Sequence, residues 1–159
     1  MLNILNKKQS IIFTIAFIAV FVLDQFVKYL SLNGMRYNGS FMSLVLVFND
    51  GVAFSMFSFL KEYLKYIHLA LILLLITYLL IQKKFFKEHF LAFSIMVSAG
   101  LSNLLDRFLY GGVVDMFFWH KWFEFAIFNV ADVMINISVA LILIKEIFFK
   151  KKDKNANLT

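Results

Sequence analysis

Residues 100–136 read GLSNLLDRFLYGGVVDMFFWHKWFEFAIFNVADVMIN: the end of one apolar segment, a loop rich in Gly, Phe and Trp, and the start of another apolar segment. Two acids bracket the loop, Asp115 in Gly111-Gly112-Val113-Val114-Asp115 and Asp132 in Phe128-Asn129-Val130-Ala131-Asp132. A carboxylate within a membrane span costs a few kcal/mol on insertion scales, so such residues face a bundle interior or a wet cavity and carry function. On that ground Asp115 and Asp132 read as a catalytic pair at the rim of a membrane domain.

Composition sets the class. Of 159 residues, 62% are hydrophobic, 18% aromatic and only 16% charged, against roughly 25% charged in soluble domains. Mean hydropathy is +0.80. The chain therefore reads as an integral membrane protein. With no internal repeat or linker, residues 1–159 read as a single domain. The absence of cysteine removes disulfides, thiolate nucleophiles, thiolate metal sites and palmitoylation. The net charge of +6 comes from lysines beside apolar segments, which points to anionic headgroups and topology rather than nucleic acid.

Four stretches are long enough to span a hydrocarbon core of about 30 Å, near Ser10–Leu32, Glu62–Gln82, His89–Leu109 and Phe125–Phe148. The first resembles a signal peptide in its leading Lys7 and Lys8, but it is too long and has no small-residue cleavage site before Asp24, so it should remain as a span. Lys7, Lys8, Lys83, Lys84, Lys87, Lys145, Lys150, Lys151, Lys152 and Lys154 fall on one side, and Arg36, Lys61, Lys65 and Lys121 on the other. The positive-inside rule then places both termini and the second loop in the cytoplasm, with residues 33–61 and 110–124 outside. The expected fold is mainly α, four transmembrane helices with a small extracytoplasmic β-hairpin or cradle and a surface loop between spans three and four. The hairpin is expected from Ser43–Phe48, the turn Asn49-Asp50-Gly51, and Val52-Ala53-Phe54. The second outer loop, Val113–Phe128, should rest among headgroups, with His120 and Lys121 interfacial.

Polar residues within the spans favour the outer leaflet. Asp24 and Lys28 share a helix face at i, i+4; Asn103, Asp106 and Arg107 share another; Asn129, Asp132 and Asn136 share a third, with Asp132 about 10 Å inside a span that starts at Phe125. His68 reads as packed or interfacial. Asp24 with Lys28, and Asp106 with Arg107, read equally well as neutralised structural pairs. Too few cations remain to neutralise Asp115 and Asp132 as well. If those two converge, mutual repulsion leaves them sharing a proton, and one carboxylate can activate water while the other hydrogen-bonds the scissile carbonyl. Other designs fit less well: no HExxH or paired-histidine spacing supports zinc, and no GxSxG elbow is present. A Ser55/Lys28 dyad leaves the aspartates unexplained. A small transporter using the acids as ion sites would need a polar path to both sides, yet Ile11–Ala19 and Val139–Ile144 are almost wholly apolar.

Four motifs resemble those of bacterial lipoprotein signal peptidase, signal peptidase II. Asp24-Gln25-Phe26-Val27-Lys28 is similar to DQxxK, and Asn49-Asp50-Gly51-Val52-Ala53-Phe54-Ser55 to NxGAAFS. Residues 100–107 with Gly112-Val113-Val114-Asp115 resemble GxxxNxxDR and GxVxD, and Phe128-Asn129-Val130-Ala131-Asp132 resembles FNxAD. Val52 stands in place of an alanine, and Ser102 where glycine is common. The resemblance implies a metal-free, cofactor-free aspartic endopeptidase, monomeric in the bacterial inner membrane, with its active site on the extracytoplasmic side. Its partners would be membrane lipids and prolipoproteins carrying a diacylglyceryl cysteine, cleaved just before that cysteine. The implied dyad is Asp115 and Asp132, with Asp24, Lys28, Asn49, Gly51, Asn103, Asp106, Arg107 and Asn129 supporting it or contacting substrate.

Overall fold

The computed structural model describes residues 4–51 and 58–149. Four long helices carry a three-stranded antiparallel sheet at one end. Helix α1, Lys7–Leu32, starts three residues before the expected Ser10 because Asn6 closes a capping box with Gln9. Strands β1, Tyr37–Asn38, and β2, Met42–Asn49, follow; after a 3-10 turn come α2, Leu64–Ile81, the short α3, Lys83–Glu88, and α4, Phe90–Tyr110. Strand β3, Val113–Trp119, leads to α5, Val130–Ile144, whose last turn widens into a π-helix over Lys145–Phe149. Of these helices α1 and α2 have the length and apolarity to cross a membrane on those grounds alone. Helix α4 has a polar buried face, and α5 has 15 residues in α form.

Helices α1 and α4 run side by side along a stripe of serines. Ser94 Oγ donates to the Phe13 carbonyl and Ser98 Oγ to the Phe17 carbonyl, each at 2.6 Å, and Ser102 Oγ donates to Asp24 Oδ2 at 2.6 Å. Small side chains four residues apart let two backbones approach, and their hydroxyls find acceptors where lipid offers none. At the end away from the sheet the gap is filled by Phe13, Leu79, Phe86 and Phe93. There His89 Nε2 lies 2.8 Å from Glu146 Oε1 on the π-turn. A polar bundle thus rests on a clamped apolar base.

Several expectations change. Ser43–Phe48 does form a strand, but its partners are β1 on one side and β3 on the other, with Val47 opposite Asp115 and Asn49 opposite Val113. Val52–Phe54, the expected second arm of the hairpin, lie outside the described residues. The first half of the loop expected at the headgroups is therefore a strand, for which its Val, Phe and Trp content is suited. The fourth helix begins at Val130 rather than Phe125. Phe125 N–H donates to the Trp119 carbonyl, and Phe128 pairs with Phe117, so residues 125–128 stay extended against β3. Asp132 consequently lies in the first helical turn, not 10 Å inside a span.

Candidate active site

Two glycines deliver Asp115 to the site. Gly111 ends α4 in a left-handed conformation, φ 76°, and a Cβ on Gly112 would meet the Asn49 carbonyl oxygen at 3.0 Å. The chain reverses there at van der Waals contact with the end of β2, and β3 carries Asp115 back over α4. Asn129 delivers Asp132. As N-cap of α5 its side-chain oxygen accepts from Asp132 N–H at 2.9 Å, while Asp132 Oδ2 accepts from Asn129 N–H at 3.2 Å, a reciprocal capping box.

Amide side chains join the two acids. Asn129 Nδ2 donates to Asp115 Oδ1 at 2.6 Å and to Asn103 Oδ1 at 3.2 Å; Asn103 Nδ2 donates to Asp132 Oδ1 at 3.0 Å. Asn49 Nδ2 donates to Asp115 Oδ2 at 3.0 Å, and Asn49 Oδ1 accepts from Gly51 N–H at 3.1 Å, fixing the expected turn. Asp115 and Asp132 both line one cavity of about 930 Å³ with Asn49, Asn103 and Arg107. Burial raises the Asp115 pKa to about 7; the Asn49 hydrogen bond opposes this, the charge of Asp132 adds to it, and Asn129 and Lys28 oppose it.

Lys28 is occupied elsewhere. Its ammonium lies 2.6 Å from Asp24 Oδ2, 2.6 Å from Asp106 Oδ2 and 2.7 Å from Asn103 Oδ1, so all three of its donors are engaged. The expected Asp24–Lys28 pair is present. The alternative pairing of Asp106 with Arg107 is not: Asp106 binds Lys28, Gln25 and the Val114 N–H, because neighbours at i, i+1 point apart on a helix. Arg107 Nη2 instead donates to the Gly51 carbonyl at 2.6 Å, and its buried Nε and Nη1 have no partner among the described residues. A serine-lysine dyad needs a free lysine lone pair, whereas Lys28 is held here as an ammonium that donates to two carboxylates and the Asn103 oxygen; Ser55 itself lies outside the described residues. Among the described residues, no ion pair reaches Asp115 or Asp132.

Two participants carried no role in the sequence reading. Gln25 Nε2 donates to Ser102 Oγ at 2.9 Å and Asp106 Oδ1 at 3.0 Å, so the serine at a position where glycine is common adds hydrogen bonds to the charged cluster. His68, read as packed or interfacial, lines the cavity. Its i, i+4 spacing from Leu64 was the available signal. Glu88, His89 and Glu146 gather ligand atoms within 4.8 Å of one another, but they lie at the N-terminal end of α4, about 20 Å from Asn103 at 1.5 Å per residue.

Residues 16–148 match the family model described as signal peptidase (SPase) II. The chain belongs to the signal peptidase II family. It is 66% identical over 137 residues to a lipoprotein signal peptidase of Campylobacter jejuni subsp. jejuni serotype O:6, covering 86% of this chain and 88% of that one. It is 49% identical over 148 residues to one of Helicobacter pylori strain Shi470, covering 93% and 94%. Two solved bacterial membrane enzymes, determined by the in meso method, share the fold: one has TM-score 0.72 and 25% identity over 89% of this chain and 90% of that one, the other 0.69 and 27% over 86% and 92%. The family is that of proteases which remove lipoprotein signal peptides, and its membrane setting agrees with the apolar helices seen here.

Proposed function

We propose that this membrane protease is an aspartic endopeptidase that cleaves diacylglyceryl-modified prolipoproteins just before the lipidated cysteine, with Asp115 and Asp132 as its catalytic residues. The observation that carries this reading is the division of labour among the acids. The buried ammonium of Lys28 holds Asp24 and Asp106, while Asp115 and Asp132 face one cavity and, among the described residues, accept hydrogen bonds from neutral amides alone. Such a pair shares a proton. Asp132, at the positive end of the α5 dipole, accepts from a backbone N–H and suits the carboxylate form; Asp115, with its raised pKa, suits the acid form.

Water held between the two loses a proton to the Asp132 carboxylate as its oxygen attacks the scissile carbonyl carbon, and the Asp115 acid protonates the carbonyl oxygen. The tetrahedral diol then collapses. Its hydroxyl proton returns to Asp115, the C–N bond breaks, and the leaving nitrogen takes the proton from Asp132, restoring the dyad. The step requires no metal or organic cofactor. Gly51, Asn49, Asn103, Asn129 and Arg107 position the dyad or the substrate, and Asp24, Lys28 and Asp106 brace α1 against α4.

Four spans, with both termini in the cytoplasm and the sheet on the extracytoplasmic side of the bacterial inner membrane, suit this chemistry. A monomer suffices, since the lipid-anchored substrate diffuses laterally in the outer leaflet and reaches the cavity at headgroup level. The test is incubation of purified protein with a diacylglyceryl-modified prolipoprotein, reading release of the signal peptide. Asp115→Asn and Asp132→Asn should each abolish it. Substantial turnover by either folded variant, or loss of wild-type turnover with a chelator, overturns the proposal.

A further inference from the structure

The cavity continues past the two aspartates. One turn further along α5, about 6 Å at 1.5 Å per residue, Asn136 lines it from one wall, and His68, four residues into α2, lines it from the other. Around them the lining is apolar, including Leu71, Ile137 and Ala140. Asn136 is exposed and His68 half-buried, and neither side chain has a hydrogen-bond partner among the described residues. A Cβ on Gly100 would come within 3.9 Å of His68 Nε2, so the imidazole lies against the α4 wall of the cavity. Two polar side chains therefore stand unsatisfied at one depth of an apolar cleft, where lipid offers them nothing.

The substrate of a lipoprotein signal peptidase brings groups that match them. A helical peptide bond has its carbonyl engaged and its faces covered, so the bond to be hydrolysed must be presented in extended form. The apolar signal-peptide helix must therefore end before the aspartates. Its last four carbonyls then lack intrahelical donors. The Asn136 amide offers two N–H donors, and neutral His68 one ring N–H. Resting on the proposed aspartic peptidase reading, we infer that His68 and Asn136 form a positioning rung that caps the C-terminal carbonyls of the bound signal-peptide helix and thereby sets which peptide bond reaches Asp115 and Asp132.

Both are positioning residues, remote from the reacting atoms, so the effect falls on binding. In full-length purified protein, His68→Leu and Asn136→Leu should each raise KM for a diacylglyceryl-modified prolipoprotein about fivefold, the value of one neutral hydrogen bond, with kcat within about twofold. His68→Gln, which keeps a donor, should recover most of the loss. A second measurement leaves the enzyme's side chains alone. Amide bonds of the substrate before the cleaved bond are replaced one at a time by esters, whose carbonyls accept weakly. One position should raise KM for the wild type but not for the double Leu variant. Unchanged KM in both Leu variants, a His68→Gln variant as poor as His68→Leu, or no ester-sensitive position in the wild type would each overturn the rung. Affinity for uncleaved substrate in an Asp115→Asn background reads the rung without catalysis, so an active Asp115→Asn variant would sink the dyad while this measurement still judged the rung.

Discussion

Replacing Asp115 with asparagine should stabilise the protein at alkaline pH while removing its activity. The side chain is 2% exposed, and burial, the largest influence on it, raises its pKa from 3.8 to about 7. The native protein therefore holds this proton roughly a thousandfold more tightly than the unfolded chain does, a difference of roughly 4 kcal/mol. Because the raised pKa belongs to an acid, the sign runs against the usual carboxylate. Between about pH 4 and pH 7 the unfolded state has released the proton and the native state retains it, so native stability falls as pH rises through that window. Above about pH 7 the whole penalty is present. Asparagine carries no charge to bury at any pH, and it can still accept through its side-chain oxygen. The assay is thermal unfolding of detergent-purified wild type and Asp115→Asn at pH 5 and pH 8. At pH 5 somewhat more than a third of the penalty is already present and the variant should melt only a few degrees higher; at pH 8 it should melt higher by on the order of 10 °C if the full penalty is expressed. Titrating groups remote from the Asp115/Asp132 pair are common to both proteins and cancel in the difference. A difference in melting temperature that is the same at both pH values would refute the argument, because it would mean that Asp115 ionises as freely in the fold as in water. In the proposed mechanism the same proton governs turnover, so wild-type kcat/KM should decline as pH rises past about 7.

Asp115→Asn combined with Asp132→Asn should be little worse in turnover than either single variant if the proposed dyad acts as one unit; multiplying losses would indicate separate roles. Lys28→Ala leaves both Asp24 and Asp106 without their ammonium, a change of about 3 to 5 kcal/mol for a buried pair, so the yield of folded protein and its activity should fall together; full yield would show the cluster to be wet. Gly112→Ala brings a Cβ to 3.0 Å from the Asn49 carbonyl, displacing β3 by a few tenths of an ångström, and turnover should drop roughly tenfold with little change in melting temperature. Reporter fusions at Lys84 and after Lys152 should both read cytoplasmic, and an external signal at either would reverse the proposed orientation.

The long helices were legible because apolar runs of about 20 residues have few other destinations. The polar cluster was legible because polar groups at helical spacing within such runs demand partners. What the sequence hid was pairing across distance. Asp106 and Arg107 are adjacent, and adjacency suggested a bond, yet the helix sends Asp106 to Lys28 on α1 and Arg107 to the backbone of Gly51. Ser43–Phe48 looked like half of a local hairpin, yet its long partner is β3, more than 60 residues further along the chain. The start of α5 was placed too early because Phe125–Phe128 are as apolar as the helix that follows. The capping pair Asn129 and Asp132, three residues apart, marked the true start, and that signature can be read without coordinates.

Charge explains why so polar a cluster is tolerated, and it returns to the proton. The group bounded by α1, α4, β3 and α5 contains four acids, Asp24, Asp106, Asp115 and Asp132, and two cations, Lys28 and Arg107. With every acid ionised, two negative charges would stand uncompensated in a region where water is scarce. One proton on the Asp115/Asp132 pair halves that excess. Lys28 satisfies the inner pair by direct contact, and the asparagines serve the outer pair with donors but no charge. A lysine placed beside Asp115 or Asp132 would neutralise the cluster more completely and would also hold the carboxylates ionised, leaving no acid for the proposed protonation of the carbonyl. The shortage of positive charge at the outer pair is therefore the condition that keeps a proton there, and Asn103, which touches Lys28, Asn129 and Asp132 at once, is the residue that joins the neutralised half of the cluster to the half that is left acidic.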